Sequence, residues 1–196
     1  MPNLAEFLNK NINSKTILVT GAGGSIGSEI VRQLLSNKPQ AIILFDVSEF
    51  NLFSIERECQ AIKLSKNIDT ELIPILGDIR DFDNLNYLFQ KYKIDSIYHA
   101  AAYKHVPLVE FNQSQGVLNN SIGTLVIAEE AINFGVETFV LISTDKAVRP
   151  TSTMGASKRV AELILQALAE KEHKTCLTMV RFGNVINSSG SVIPLF

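Results

Sequence analysis

The residues best placed to do chemistry fall in three short stretches. Gly21-Ala22-Gly23-Gly24-Ser25-Ile26-Gly27 holds four of the chain's eleven glycines, and Gly21, Gly24 and Gly27 are spaced as G-x-x-G-x-x-G. Such a loop tolerates positive φ and lets a pyrophosphate approach the backbone with no Cβ in the way, at the N–H groups of a helix start. Asp46 stands 19 residues beyond Gly27, the interval at which a carboxylate meets an adenosine ribose. It would repel a 2′-phosphate and therefore favours NAD over NADP. The third stretch, Ser143-Thr144-Asp145-Lys146, sets a carboxyl beside an amine, and Met154 and Lys158 follow four residues apart on one helix face. Taken alone, Asp145 and Lys146 read as a surface ion pair and Lys158 as a solvated charge. Their place after a strand and at a helix start reverses that reading. There an ammonium can hold the hydroxyls of a nicotinamide ribose and stabilise an alkoxide.

The elements that must position these groups alternate regularly. Apolar β-branched runs predict strands at Thr16–Thr20, Ala41–Phe45, Glu71–Ile75, Asp95–His99, Glu137–Ser143 and Thr175–Phe182. Helical spacing predicts Ser25–Ser36, Ser48–Lys66, an Asp81-capped helix through Tyr92, one long helix over Gln113–Phe134, and Thr151–Lys171. Strands alternating with helices imply βαβ units. The fold class is α/β, a Rossmann-type doubly wound parallel sheet with ligands beyond the carboxyl ends of its strands. By this reading Asp78 and Ile79, after the third strand, lie near the adenine, although Asp78 reads almost equally well as a helix-start acid.

Composition bounds the remaining classes. A chain of 196 residues with 46% hydrophobic and 19% charged residues is globular and fits one domain, or one domain plus a fragment. Eighteen Lys and Arg against twenty Asp and Glu give a net charge of −2, which argues against nucleic acid as a partner. Cys59 and Cys176 form no disulfide framework and read as thiols of a reducing compartment. His99, His105 and His173 lack metal-ligand spacing, so no metal is expected. The absence of a 20-residue apolar run or a signal-like start predicts a soluble, cytoplasmic chain. The chain stops soon after the sixth strand and reads as truncated.

Six blocks, TGAGGSIGSE (20–29), FDVSEFNL (45–52), HAAAYKHVPLVE (99–110), NNSIGT (119–124), STDKAVRPTSTMGASKRVAE (143–162) and RFGNVINSSGSVIPLF (181–196), carry a resemblance. Together they resemble the extended short-chain dehydrogenase/reductases, and within them the bacterial UDP-N-acetylglucosamine 4,6-dehydratases of polysaccharide and capsule biosynthesis. The resemblance implies a set of roles. Gly21, Gly24, Ser25, Ile26, Gly27, Asp46, Asp78, Ile79, Ala100, Ala101, Ala102, Asn120 and Lys158 would bind NAD, with Asn120 supporting the active-site lysine. Thr144, Asp145, Lys146, Met154 and Lys158 would form the catalytic end. Lys104, His105, Asn184 and Ser191 would meet the UDP-sugar, as would Ser188 and Ser189. Met154 stands where the wider superfamily has Tyr; a thioether exchanges no proton, so a neighbour, a water or Thr144 with Asp145 must take the 4-hydroxyl proton.

The implied reaction moves hydride from sugar C4 to NAD. Lys146 then removes the C5 proton while Asp145 protonates the departing 6-hydroxyl, and hydride returns at C6. A base must be neutral, so Lys146 needs burial or a nearby cation, for which Lys158 is the candidate. The Met-type resemblance implies retention at C5, a homo-oligomer, and relatives that are often membrane-anchored, so that the chain could be the cytoplasmic part of an inner-membrane protein. It also implies a C-terminal substrate lobe following residues 1–196, the NAD-binding domain. The alternatives are a 4-epimerase, which needs no Asp145/Lys146 pair, and a non-catalytic NAD-binding fragment.

Overall fold

The computed structural model describes residues 11–185. Six strands, β1 (Thr16–Thr20), β2 (Ala41–Asp46), β3 (Glu71–Leu76), β4 (Ser96–His99), β5 (Thr138–Thr144) and β6 (Cys176–Phe182), form one parallel sheet ordered β3-β2-β1-β4-β5-β6. The order reverses between β1 and β4, so a crevice opens there beyond the carboxyl ends. Around the sheet lie α1 (Ser25–Ser36), α2 (Glu49–Lys66), α3 (Phe82–Lys91), α4 (Val106–Phe111), α5 (Gln113–Val117), α6 (Gly123–Asn133) and α7 (Thr153–Ala169). Among the described residues no helix is long and apolar enough to cross a membrane.

The two-residue period of the strands feeds two cores. Ile17 and Val19 of β1, with Ile42 and Leu44 of β2, face Val31, Leu34 and Leu35 of α1 and Leu52, Ile55 and Cys59 of α2. Leu18, Ile43 and Phe45 point the other way, into a core with Leu85 and Leu88 of α3, Ile127 and Ala128 of α6, and Ala161 and Leu165 of α7. Fully burying each such aliphatic side chain is worth roughly 1.5–3 kcal/mol. Of the two cysteines Cys59 is buried and Cys176 exposed; burial pushes the Cys59 thiol up to about 11. Among the described residues β3 and β6 are the sheet edges, and Pro74, which cannot donate to a ladder, sits on β3 as an edge permits.

One predicted element is resolved differently. The long helix over 113–134 is α5, a widened π-type turn at Leu118–Ile122, and α6, with the unpredicted α4 before them. The turn buries Asn119, Asn120 and Ser121 in succession. Successive residues of an α-helix lie about 100° apart and cannot all face one neighbour. Widening the turn lets Asn120 and Ser121 both reach Ser157 of α7: Asn120 Nδ2 donates to Ser157 Oγ at 3.0 Å and Ser121 Oγ to its carbonyl at 2.9 Å. α7 starts at Thr153 because Ser152 is its cap, its Oγ accepting from Gly155 N–H.

Candidate functional site

The β1–α1 turn sets the floor of the crevice. Gly21 has φ +64°, and a Cβ there would lie 2.8 Å from Ala101 Cα; a Cβ at Gly27 would lie 2.0 Å from the Gly21 carbonyl oxygen. The turn therefore lies in backbone contact with the Ala100–Ala102 segment that leaves β4. Side-chain oxygens of Ser48, Asp81 and Ser152 cap α2, α3 and α7, whereas α1 has Gly24 at its cap and receives none. A helix start without a side-chain cap, opening on a glycine cradle, suits a pyrophosphate.

Asp46 is buried at the end of β2. Its Oδ2 accepts from Gly23 N–H and its Oδ1 from Ser48 N–H, both at 2.9 Å. Ser48 caps α2 through its own Oγ, at 3.3 Å from Asn51 N, so Asp46 is not used as a helix cap. It lines a cavity of about 220 Å³ with Gly21, Gly24, Asp78, Ile79, Ala100–Ala102 and Asn119. Asp78 faces the same cavity but is engaged by Arg80, whose Nε lies 2.9 Å from Oδ1; these hydrogen bonds hold its carboxyl below the usual range. The helix-start role falls to Asp81.

A larger cleft, about 840 Å³, runs from Gly24–Gly27 past Ala100 and Ala102 to Lys104, His105, Thr144, Lys146, Met154, Lys158 and Asn184. Residues scattered over 160 positions of sequence thus share one space, because all the contributing strands end on the same side. Asp145 is not among its walls but sits at the rim. Thr144 Oγ1 donates to Asp145 Oδ1 at 3.0 Å, and Lys146 Nζ donates to Asp145 Oδ1 and to Asn184 Oδ1, each at 3.1 Å. The Asp145 side chain is 57% exposed and that of Lys146 40%. Hydrogen bonds from Lys146 and Thr144 hold the Asp145 carboxyl below its ordinary range. Burial lowers the Lys104 ammonium, and His105 precedes α4 at the cleft wall. Ser188, Ser189 and Ser191 lie outside the described residues.

The buried lysine is Lys158, not Lys146: Lys158 is 3% exposed and its Nζ has no hydrogen-bond acceptor among the described residues. Burial pushes its ammonium down to about 8, with Glu162 opposing. Lys158 and Lys146 line the same cleft. Asn120 also does not hold Lys158 directly. Its Oδ1 accepts from Tyr103 N–H at 2.8 Å and its Nδ2 donates to the Tyr103 carbonyl and to Ser157 Oγ, both at 3.0 Å. It therefore ties the cleft loop to the residue beside Lys158. His99 is wholly buried between the hydroxyls of Thr20 and Thr124, and burial, then Lys158, push its imidazole down to about 3.

The sequence reading missed Glu162, which is wholly buried although charged. Its carboxylate accepts from Ser143 Oγ at 2.6 Å, Arg181 Nε at 2.7 Å and Arg159 Nη1 at 2.9 Å. Burial pushes this carboxyl up, but the hydrogen bonds from Arg181, Ser143 and Arg159 prevail and hold it at about 2. Its position four residues after Lys158, on the same helix face, was the available signal.

Sheet order, glycine turn and the Met154-x-x-x-Lys158 helix define the class: the Rossmann-type unit of an extended short-chain dehydrogenase/reductase. More narrowly, the chain belongs to the family described as polysaccharide biosynthesis protein, whose model matches residues 17–196. It is 47% identical over 192 residues to the capsular polysaccharide biosynthesis protein CapD of Staphylococcus aureus, covering 97% of this chain and 31% of that protein. It is 34% identical over 185 residues to a UDP-glucose 4-epimerase of Rickettsia prowazekii, covering 93% of this chain and 52% of that one. Among solved structures it is similar to Pen from Bacillus thuringiensis, with TM-score 0.84 and 35% identity over 94% of this chain and 57% of that chain. It is also similar to a double mutant of the dTDP-glucose 4,6-dehydratase DesIV of Streptomyces venezuelae with NAD bound, with TM-score 0.74 and 26% identity over 91% and 60%. The chain thus spans between 31% and 60% of these proteins.

Proposed function

We propose that this chain is the NAD-binding and acid–base part of a nucleotide-sugar 4,6-dehydratase that converts UDP-N-acetylglucosamine to a UDP-4-keto-6-deoxy sugar for polysaccharide or capsule synthesis. The observation that carries this reading is the Asp145–Lys146 pair at the mouth of the cleft that Thr144, Met154 and Lys158 line. The residues fit NAD: a Cβ-free cradle at Gly21 and Gly27, a carboxylate at Asp46 for ribose hydroxyls, and a buried Lys158 ammonium whose missing acceptors a second ribose would supply. When bound, NAD accepts a hydride from sugar C4 and returns it to C6.

The chain's own groups do the rest. Oxidation at C4 acidifies the adjacent C5–H. Elimination needs a neutral amine for that proton and a protonated carboxyl for the 6-hydroxyl. In the structure the hydrogen that joins the pair across 3.1 Å is donated by Lys146. Moving it to Asp145 creates the acid and the base together, with no proton from outside. A sugar covering the loop favours that shift, because removing water disfavours separated charges. Lys146 then takes the C5 proton and Asp145 gives its proton to the departing oxygen, which leaves C6 as water. The Lys146 ammonium exchanges its protons with water and finally gives one to C5. Met154 supplies a proton-free wall, and the 4-hydroxyl proton passes to water at the exposed rim, which recharges Lys146 once C5 has been reprotonated.

The second reading is a 4-epimerase, favoured by the 34% identity to the rickettsial enzyme. One experiment separates the two: full-length protein given UDP-N-acetylglucosamine deuterated at C4. Deuterium at C6 with solvent hydrogen at C5 is expected. Deuterium retained at C4 in an epimerised sugar would replace the dehydratase with the epimerase. Lys146→Ala should lower C5 exchange by about 10²–10⁴-fold while NAD still binds, and undiminished exchange would remove Lys146 from the mechanism.

A further inference from the structure

We propose that Glu162 is the positioning residue of this site: the buried counter-charge that keeps Lys158 protonated for the cofactor and the clamp that joins the ends of β5 and β6 to α7. The proposal rests on the NAD-binding reading above. Its ground is geometric. One carboxylate, with no exposed surface, is bonded to Ser143 of β5, Arg181 of β6 and Arg159 of its own helix. Ser143 directly precedes Thr144-Asp145-Lys146, and Arg181 lies three residues before Asn184, the acceptor for Lys146. Glu162 therefore spaces both strand ends that carry the rim pair. On the other side, Lys158 lies one helical turn earlier on the same face, buried without an acceptor. A buried ammonium is disfavoured by desolvation, and a fixed anion one turn away opposes that loss.

The other charged neighbours are few. His99 of β4 faces Lys158 but is held neutral by burial near neutral pH. Arg159 and Arg181 are paired with Glu162 and partly exposed, so water screens them. Asp145 and Lys146 occupy the rim and form their own pair. Among the described residues Glu162 is thus the anion that acts on Lys158.

The sign follows. Lys158 has an ammonium depressed to about 8, so NAD affinity should fall as pH rises through that region and the lysine loses its proton. Removing the anion should move the fall to lower pH. Removing Arg181, which offsets the anion, should move it to higher pH. The experiment is NAD titration of the full-length protein by fluorescence across about pH 6–10, with Glu162→Gln, Arg181→Met and Lys158→Met, and circular dichroism to verify folding. The expected result is a shift of about one unit downward in Glu162→Gln and an upward shift in Arg181→Met, with no alkaline fall in Lys158→Met. A purely structural clamp would weaken both network variants alike at every pH, and parallel profiles would overturn the counter-charge role. An alkaline fall persisting in Lys158→Met would overturn it too. If Glu162→Gln does not fold, Arg181→Met decides by the direction of its shift. A wild-type protein that binds no NAD would instead sink the cofactor reading itself.

Discussion

The two ends of the crevice are built on different terms. At the β1–β2 end the polar work is done by backbone and one buried carboxylate: Asp46 has both oxygens bonded to main-chain N–H groups, and the glycine turn touches the β4 exit atom to atom. At the β5–β6 end it is done by side chains at a rim, where Asp145 and Lys146 stay substantially in water and lean on each other and on Asn184. The first end is preorganised, so its cost is met in folding. The second is a charged pair whose reactive form, in the proposed mechanism, depends on water being displaced by a sugar. Stability and cofactor capture should therefore answer to the first end, and chemistry to the second.

The severest way to break that contrast is at the turn. Gly27→Val places side-chain atoms on the Gly21 carbonyl, which already lies 2.0 Å from a Cβ at that position. NAD binding should be lost to below detection in a calorimetric titration, and the melting temperature should fall as well. By contrast, Lys146→Ala should leave both intact while stopping exchange. If Gly27→Val still bound NAD normally, the crevice floor would not be the pyrophosphate seat.

A milder probe is Asp46→Asn. It can still accept one of the two main-chain hydrogen bonds but removes the charge proposed to meet the ribose and to repel a 2′-phosphate. A hydrogen bond to a charged group is worth about 1.5–3 kcal/mol, so NAD affinity should drop by about 10–100-fold and the preference for NAD over NADP should narrow. Competitive titration of the two cofactors reads this directly. An unchanged preference would move the specificity away from Asp46.

The same contrast explains what could be read from sequence. The cofactor end was legible because local rules make it. Gly21, Gly24 and Gly27 follow a strand and open a helix, and Asp46 falls at a fixed interval, so spacing alone brings them to one cavity, which Gly21, Gly24 and Asp46 line. The rim was legible as a motif, with Thr144, Lys146, Met154, Lys158 and Asn184 all reaching one cleft. Its electrostatics were not. Which lysine is buried depends on how α7 packs against the π-type turn, and that turn exists because Asn120 and Ser121 both bond to Ser157. Such a register cannot be drawn from a 3.6-residue period, so the helix over 113–134 read as continuous. Glu162 escaped for the same reason: its partners Ser143 and Arg181 lie on two other strands, 19 residues away in either direction.

The smallest effect sharpens the comparison most. Ser48 and Ser152 cap α2 and α7 in the same way, each accepting from the backbone three residues on. Removing either cap by substitution to Ala should cost about 1 kcal/mol, or about 2–4 °C in melting temperature for a chain of this size. Thermally the two variants should be indistinguishable. Functionally they should differ. α2 presents no group of the proposed acid–base end, whereas the first turn of α7 carries Met154, with Lys158 one turn later. Glu110 still holds Thr153 there, accepting from its N–H at 2.6 Å and its Oγ1 at 2.9 Å, so Ser152→Ala should loosen that turn without unwinding it. The rate of C5 exchange should fall severalfold in Ser152→Ala and stay at the wild-type value in Ser48→Ala, with NAD affinity little changed in either. Equal losses of exchange in both would mean that the rim has no privileged dependence on α7, and the division between the two ends would have to be redrawn.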